Sequence, residues 1–269
     1  PRTVEFTLRG SFSCAPTRRS QPPALKTHKH TSIGIQGFDS LCGGGLATGA
    51  GVLLQHDGRA NLTTLFSQLM SQGIKKGYSI ILVPTIRMRP ESVRTLLDGH
   101  NTSLDALMAD NRFFVLDMIG AWDETTENVF GSRESASTTQ SVLQAIHERA
   151  SDRPTISLIN ADAMVNQLGT ADARTVRYAQ ESNWLDSDDL LIHVHNPAVT
   201  TDKIDGFYQN SAEQVLKTWI TESGLQYISL EKSPCGFVGT TSMVEYTKEP
   251  PYIEVQMPPE ERENPYADG

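Results

Sequence analysis

"TGAGVLLQHDGRANLTTLFSQLMSQGIKKG", residues 48–77, decides the fold. An apolar run from Gly49 to Gln55 ends in a short polar loop. The loop runs into a segment with Leu65, Leu69, Gln72 and Lys76 at helical spacing, stopped by Gly77. Strand, tight loop and helix in that order outline a loop that grips phosphate through backbone N–H groups and a helix N-terminus. Most of the glycines such a loop uses, and its lysine, are absent from residues 56–63.

Working outward, strands and helices alternate. "YSIILVP" (78–84), "RFFVLD" (112–117), "TISLIN" (155–160) and "DLLIHVHN" (189–196) read as buried strands. "RPESVRTLLDGH" (89–100), opened by Pro90 and Glu91, "ASTTQSVLQAIHERA" (136–150) and "ADARTVRYAQESNWL" (171–185) read as helices, with a loop over 118–134. This alternation implies a mostly parallel α/β sheet with helices on both faces. After about residue 210 the pattern changes to "AEQVLKTWI", "LQYISLEK" and "FVGTTSMVEYT", separated by turn-sized gaps. These read as antiparallel hairpins on one sheet edge, the first piece being strand or helix. No internal repeat is present.

Residues 1–30 read as a flexible basic leader, with a short strand through Val4, Phe6 and Leu8 and with His28 and His30 in a solvated arm. Residues 31–247 form the core domain. The Pro-rich, charged stretch 248–269 reads as a disordered tail. Across 269 residues the net charge is −9 and the pI about 5.3, which argues against non-specific nucleic-acid binding by the whole molecule. Cys14, Cys42 and Cys235 lie far apart, giving neither a disulfide framework nor a cysteine zinc site. No apolar run reaches the roughly 18–20 residues of a membrane span, and no signal-peptide core is present. A soluble, cytoplasmic protein is expected.

Residues 31–77 resemble the opening of RecA-superfamily ATPases of the KaiC and RadA type. There a "TGIxGLDxLLGGGLxxG" preface leads into a strand, a P-loop and a helix ending in "EGxKKGE". Gly37, Phe38, Asp39, Leu41, Gly43, Gly44, Gly45, Leu46 and Gly49 match the preface; Thr63, Thr64, Leu65, Gln68, Gly73, Lys75, Lys76 and Gly77 match the helix. The order of later elements fits to about residue 247. The resemblance implies a RecA-like P-loop NTPase fold with a C-terminal antiparallel extension. Small haloarchaeal proteins described as HTR-like or RecA-like are similar in size.

The loop departs from the family pattern. Laid on without gaps, the glycine positions fall on His56, Arg59 and Asn61, and the lysine position on Leu62, while Thr63 keeps the metal-binding hydroxyl. Cβ atoms at the glycine positions disfavour the required φ values. The lost ammonium contact costs about 10- to 150-fold in affinity. Asp57 adds negative charge where the triphosphate would lie; Gly58 offers a one-residue shift and Arg59 a partial replacement cation. The vestigial loop is therefore His56, Asp57, Gly58, Arg59, Ala60, Asn61, Leu62, Thr63 and Thr64. The family's magnesium-orienting aspartate falls on Asn160, with Asp162 two residues on. Ile86 and Arg87 stand near the place of its catalytic glutamate, and Glu91 reads as a first-turn helix acid.

The resemblance places His195 and Asn196, at the end of their strand, close to His56 and Asp57. His193 shares a face with His195. A His/His/Asp metal site would need its third ligand held in defined geometry and a supporting second shell, so polar residues lining a crevice is the preferred reading, with no metal. Asp117 either lines the crevice or caps a turn. No nucleophile–base–acid set is visible, and no catalytic residue is assigned. The expected function is a non-catalytic regulatory or scaffolding role in signal transduction, through protein contacts or self-association, with no cofactor. The alternatives are an atypical ATP-binding protein or weak ATPase, using MgATP with Arg59, Thr63 and Asp162 as replacements, and a DNA-recombination accessory using residues 1–30.

Overall fold

The computed structural model describes residues 28–131, 135–150, 152–234 and 240–256. The strand expected at Val4–Leu8 and residues 257–269 of the tail lie outside the described residues.

Two short strands, β1 (His30–Thr31) and β2 (Leu46–Ala47), pair antiparallel around helix α1 (Phe38–Leu41). The main body follows as β3 (Ala50–His56), α2 (Thr63–Lys75), β4 (Ser79–Val83), α3 (Pro90–Asp98), α4 (Leu104–Ala109), β5 (Phe113–Asp117) and β6 (Val129–Gly131). Next come α5 (Ala136–Ala150), β7 (Thr155–Asn160), α6 (Ala161–Leu168), α7 (Thr170–Asn183), β8 (Leu190–His195) and α8 (Asp202–Ser211). The chain closes with β9 (Gln214–Ile220), β10 (Gln226–Lys232), β11 (Thr240–Tyr246) and β12 (Ile253–Gln256). One ten-stranded sheet runs β12-β11-β10-β9-β3-β8-β7-β4-β5-β6. It is parallel from β9 through β6, and antiparallel from β9 outward to β12.

The central strands are continuous apolar runs because both of their faces are covered. Val52, Leu54, Ile80, Leu82, Phe113 and Val115 point to one side, where α2, α3 and α4 pack. Ile81, Val83, Phe114 and Leu116 point to the other, under α5, α6 and α7. Leu53 and Val215 meet Ile204 and Tyr208 of α8 on that second side.

Several expectations need correction. The loop expected over 118–134 carries β6, whose three residues are too few to show a period. Helices α4, α6 and α8 were not expected; each is only 6–10 residues long. The undecided segment at 212–220 is a strand, pairing in parallel with β3. The basic leader ends earlier than residue 30: Thr48 N donates to Lys29 O at 2.9 Å, and His30 and Thr31 pair with Ala47 and Leu46. The disordered tail does not begin at 248. Ile253 and Val255 are buried in β12, alternating with the more open Glu254 and Gln256, a half-covered edge strand.

That edge explains one preface glycine. Val255 N donates to Gln36 O at 2.8 Å, and a Cβ on Gly37 (φ 79°) would lie 1.7 Å from Val255 O. Only glycine lets the loop press against β12 and cover the exposed side of the sheet's last strand.

Candidate functional site

Loop 57–62 lies at the C-terminal end of the parallel strands, with β3 held between β9 and β8. Crevices in open α/β sheets form at this end. The ends of β7 and β8, with the residues that follow, bring Asn160, Asp162, His195 and Asn196 to the same end.

The loop amides are engaged by the chain's own side chains. One Asp57 carboxylate oxygen accepts from Arg59 N (2.9 Å) and Ala60 N (2.8 Å); the other accepts from Ile220 N (2.9 Å) at the end of β9. His56 Nδ1 accepts from Gly58 N at 3.1 Å. Asn61 N donates to Gln226 Oε1, and Thr63 N to Asn61 Oδ1, both at 3.0 Å. Gln226 in turn receives the Tyr246 hydroxyl at 2.8 Å. Asp57 is thus an anion tethered by three backbone amides. Burial pushes its pKa up, but the amides of Ile220, Ala60 and Arg59, with the Arg59 guanidinium, outweigh that and hold it below the ordinary carboxylate range. Between His56 and Thr64 only Gly58 takes a positive φ (77°), so His56, Arg59 and Asn61 stand where no glycine is required.

The other site residues are likewise engaged. Asn160 caps α6 by accepting from Ala163 N (3.2 Å) and donates to Pro84 O (3.1 Å), tying the β7 and β4 crossovers together. Asp162 holds His195 Nδ1 at 2.7 Å through one oxygen and Asn196 N at 2.9 Å through the other. His195 Nε2 faces Thr200 Oγ1 at 3.3 Å and Asp205 Oδ1 at 3.5 Å, and Gln55 Nε2 also donates to Asp205 Oδ1. Thr200, His195 and Asp162 have the order of a hydroxyl–imidazole–carboxylate relay. A second carboxylate on Nε2 and a ring with no exposure make the group a brace between α6, β8 and α8. Arg59 Nη2 donates to Thr221 O at 3.3 Å. Ile86 is 71% exposed, and Glu91 lies in the first turn of α3. Asp117 caps a turn, accepting from the amides of Ile119, Gly120 and Trp122. Among the described residues no cluster of three or more His, Cys, Asp or Glu could hold a metal.

His193 belongs to a separate buried network. Its Nδ1 meets Arg177 Nη1 at 2.8 Å and its Nε2 meets Gln180 Oε1 at 3.2 Å, which suits a neutral ring protonated at Nε2. Arg177 Nη2 and Glu181 Oε1 lie 2.7 Å apart, an ion pair in distance whose alignment is too oblique for a hydrogen bond. A Cβ on Gly51 would strike this pair, at 2.4 Å from Glu181 Oε1, so β3 needs glycine beneath it. The sequence reading missed Arg177 and Gln180. The signal was present: with Ala173 and Val176 they complete the buried stripe of α7.

These environments set a pH dependence. Burial lowers the pKa of His193 well below the usual imidazole range, with Arg177 and His195 adding to it; burial also leads the lowering at His56, His100 and His147. Rings kept neutral in the fold take up protons on unfolding below about pH 6.5, so stability falls as pH drops through that region. Asp57, whose folded value is lowered, contributes stability present above about pH 3.9 and lost as pH falls through its folded value. The urea midpoint is expected to fall steadily from pH 7.5 to pH 5; a flat or rising midpoint contradicts this.

No family model and no curated protein matches the sequence. Solved structures do match. A KaiC-like protein from Pyrococcus horikoshii superposes with a TM-score of 0.63 at 17% identity, covering 85% of this chain and 99% of its own. An uncharacterized protein from Pyrococcus horikoshii, in complex with an unknown peptide, gives 0.65 at 11%, covering 84% and 98%. The flagellar accessory protein FlaH from Methanocaldococcus jannaschii gives 0.64 at 12%, covering 86% and 100%. At these identities the likeness is one of fold, and the fold of this chain is the RecA-like α/β fold that KaiC-like proteins and FlaH share.

Proposed function

We propose that this chain is a non-catalytic regulatory or scaffolding protein on a RecA-like fold, acting in signal transduction through protein contacts and not through nucleotide turnover. One observation carries the reading: the Asp57 carboxylate takes the loop amides at Arg59 and Ala60 and braces them to Ile220. An incoming triphosphate would meet that carboxylate and, at Leu62, no ammonium group. Of the three groups that an atypical ATPase would borrow, Arg59, Thr63 and Asp162, two have other partners, Arg59 with Thr221 and Asp162 with His195 and Asn196.

Protein contact is favoured by what this end of the sheet exposes. Among the described residues, seven large apolar or aromatic side chains are exposed. Six of them, Ile86, Ile119, Val199, Leu225, Tyr246 and Tyr252, lie at the end that carries loop 57–62. Exposed apolar side chains gathered at one end are the feature that supports a contact surface there. The similar Pyrococcus horikoshii protein bound to an unknown peptide is consistent with a peptide contact on this fold. The test is calorimetric titration with MgATP beside a steady-state assay of phosphate release. The expected result is no saturable heat and no turnover; saturable binding with release above the no-enzyme rate favours the atypical ATPase.

A further inference from the structure

The opposite end of the sheet carries a groove of about 1300 Å³. It lies between the outer face of α5, the N-terminal ends of β4 and β7, and the segment 184–189 before β8. Trp184 stacks on His147 in its wall, centroids 5.7 Å apart and planes 17° apart. Its charged lining is mainly acidic, with Glu148, Asp152, Asp186 and Asp188 beside Lys76 and Arg153. Both cations are engaged locally, Lys76 with Thr31 and Ser32 and Arg153 with Asp152 and Asp110.

The chain joins the fold at this rim. Lys29 Nζ sits 2.7 Å from Asp188 Oδ1, and Thr31 itself lines the groove. Upstream, residues 1–27 carry Arg2, Arg9, Arg18, Arg19 and Lys26 against one acid, Glu5. Five basic residues and one acid out of a total of −9 leave −13 on the rest of the chain. Arginine suits the wall chemically, since a guanidinium stacks on aromatic faces and pairs with carboxylates in one plane.

We propose that residues 1–27 dock in this groove of their own molecule, with Arg18 and Arg19 against the Trp184–His147 stack and the carboxylates of Asp152 and Asp186. The ten residues from Arg19 to Lys29 reach up to about 33 Å when extended, ample to cross from the rim. A short tether holds the arm near millimolar effective concentration, so individually weak, salt-screened pairs suffice. Docking withholds the leader's charge from any nucleic acid or acidic partner until one competes for it. The occupant is a segment of this chain, and the inference does not depend on the state of the nucleotide loop.

The test uses the full chain with a nitroxide on Cys14 and Cys235→Ser. Cys42 is buried, and burial with Asp39 nearby pushes its thiol far up, so it stays unlabelled. The amide signals of Gln140, Gln144, Asp186 and Asp188 are expected to lose most of their intensity against the reduced label. Recovery is expected in Arg18→Glu/Arg19→Glu and at about 0.5 M salt. A mixture of labelled and isotope-enriched chains is expected to show no loss, since docking is within one molecule. Loss spread evenly over the surface, loss absent from the groove, loss indifferent to charge reversal, or loss in the mixture would each overturn the proposal.

Discussion

His195→Leu is expected to destabilise the protein by about 2 kcal/mol, towards the low end for losing a buried hydrogen bond to a carboxylate. Leucine fills most of the ring's space against Tyr208, whose ring centroid lies 5.3 Å away. It cannot donate to Asp162 or face Asp205. The cost stays at the low end because both carboxylates keep other partners, Asn196 N for Asp162 and Gln55 and Gln209 for Asp205. His195→Asn keeps a donor near the Nδ1 position and is expected to lose about half as much. Urea denaturation of the three proteins measures this. A leucine variant as stable as the parent would show that the cluster does not brace α6 and α8.

Asp57→Ala comes next, at about 1–2 kcal/mol. Three amide hydrogen bonds to a carboxylate would be worth more in a dry interior, but Asp57 is half-exposed and solvent screens its charge. The effect has a pH signature. The parent and the variant converge as the pH falls through the folded pKa of Asp57, because the parent loses the same bonds by protonation. A gap that persists unchanged at pH 2 would assign the loss to packing instead.

Much of the fold was legible because its main strands are long apolar runs between clear stops. β7 and α5 fall on the residues expected from periodicity, and β3, β4, β5 and β8 within one or two residues of them. What escaped was short or tertiary in origin. β6 and β12 have too few residues to show a period, and α6 follows β7 without an intervening loop. The candidate site was legible as a list of positions but not as a bonding pattern. The sequence placed Asp57 as a charge repelling phosphate; its bonds from Arg59 N and Ala60 N are local, but the bracing to Ile220 and the bond of Asn61 to Gln226 join residues more than 150 positions apart. The helical stripe of α7 marks the position of Arg177, but its meeting with His193 comes only from the packing of α7 on β8, with Glu181 one helical turn away.

The most direct test of the central claim, that the loop's donors are taken by Asp57 and its neighbours, is the amide spectrum of the full chain as MgATP is added. The signals of Gly58, Arg59, Ala60, Asn61 and Thr63 are expected to stay in place up to millimolar nucleotide. Saturable shifts gathered on those five amides would contradict it, because they would mean that the phosphates displace the carboxylate and that the loop still holds nucleotide.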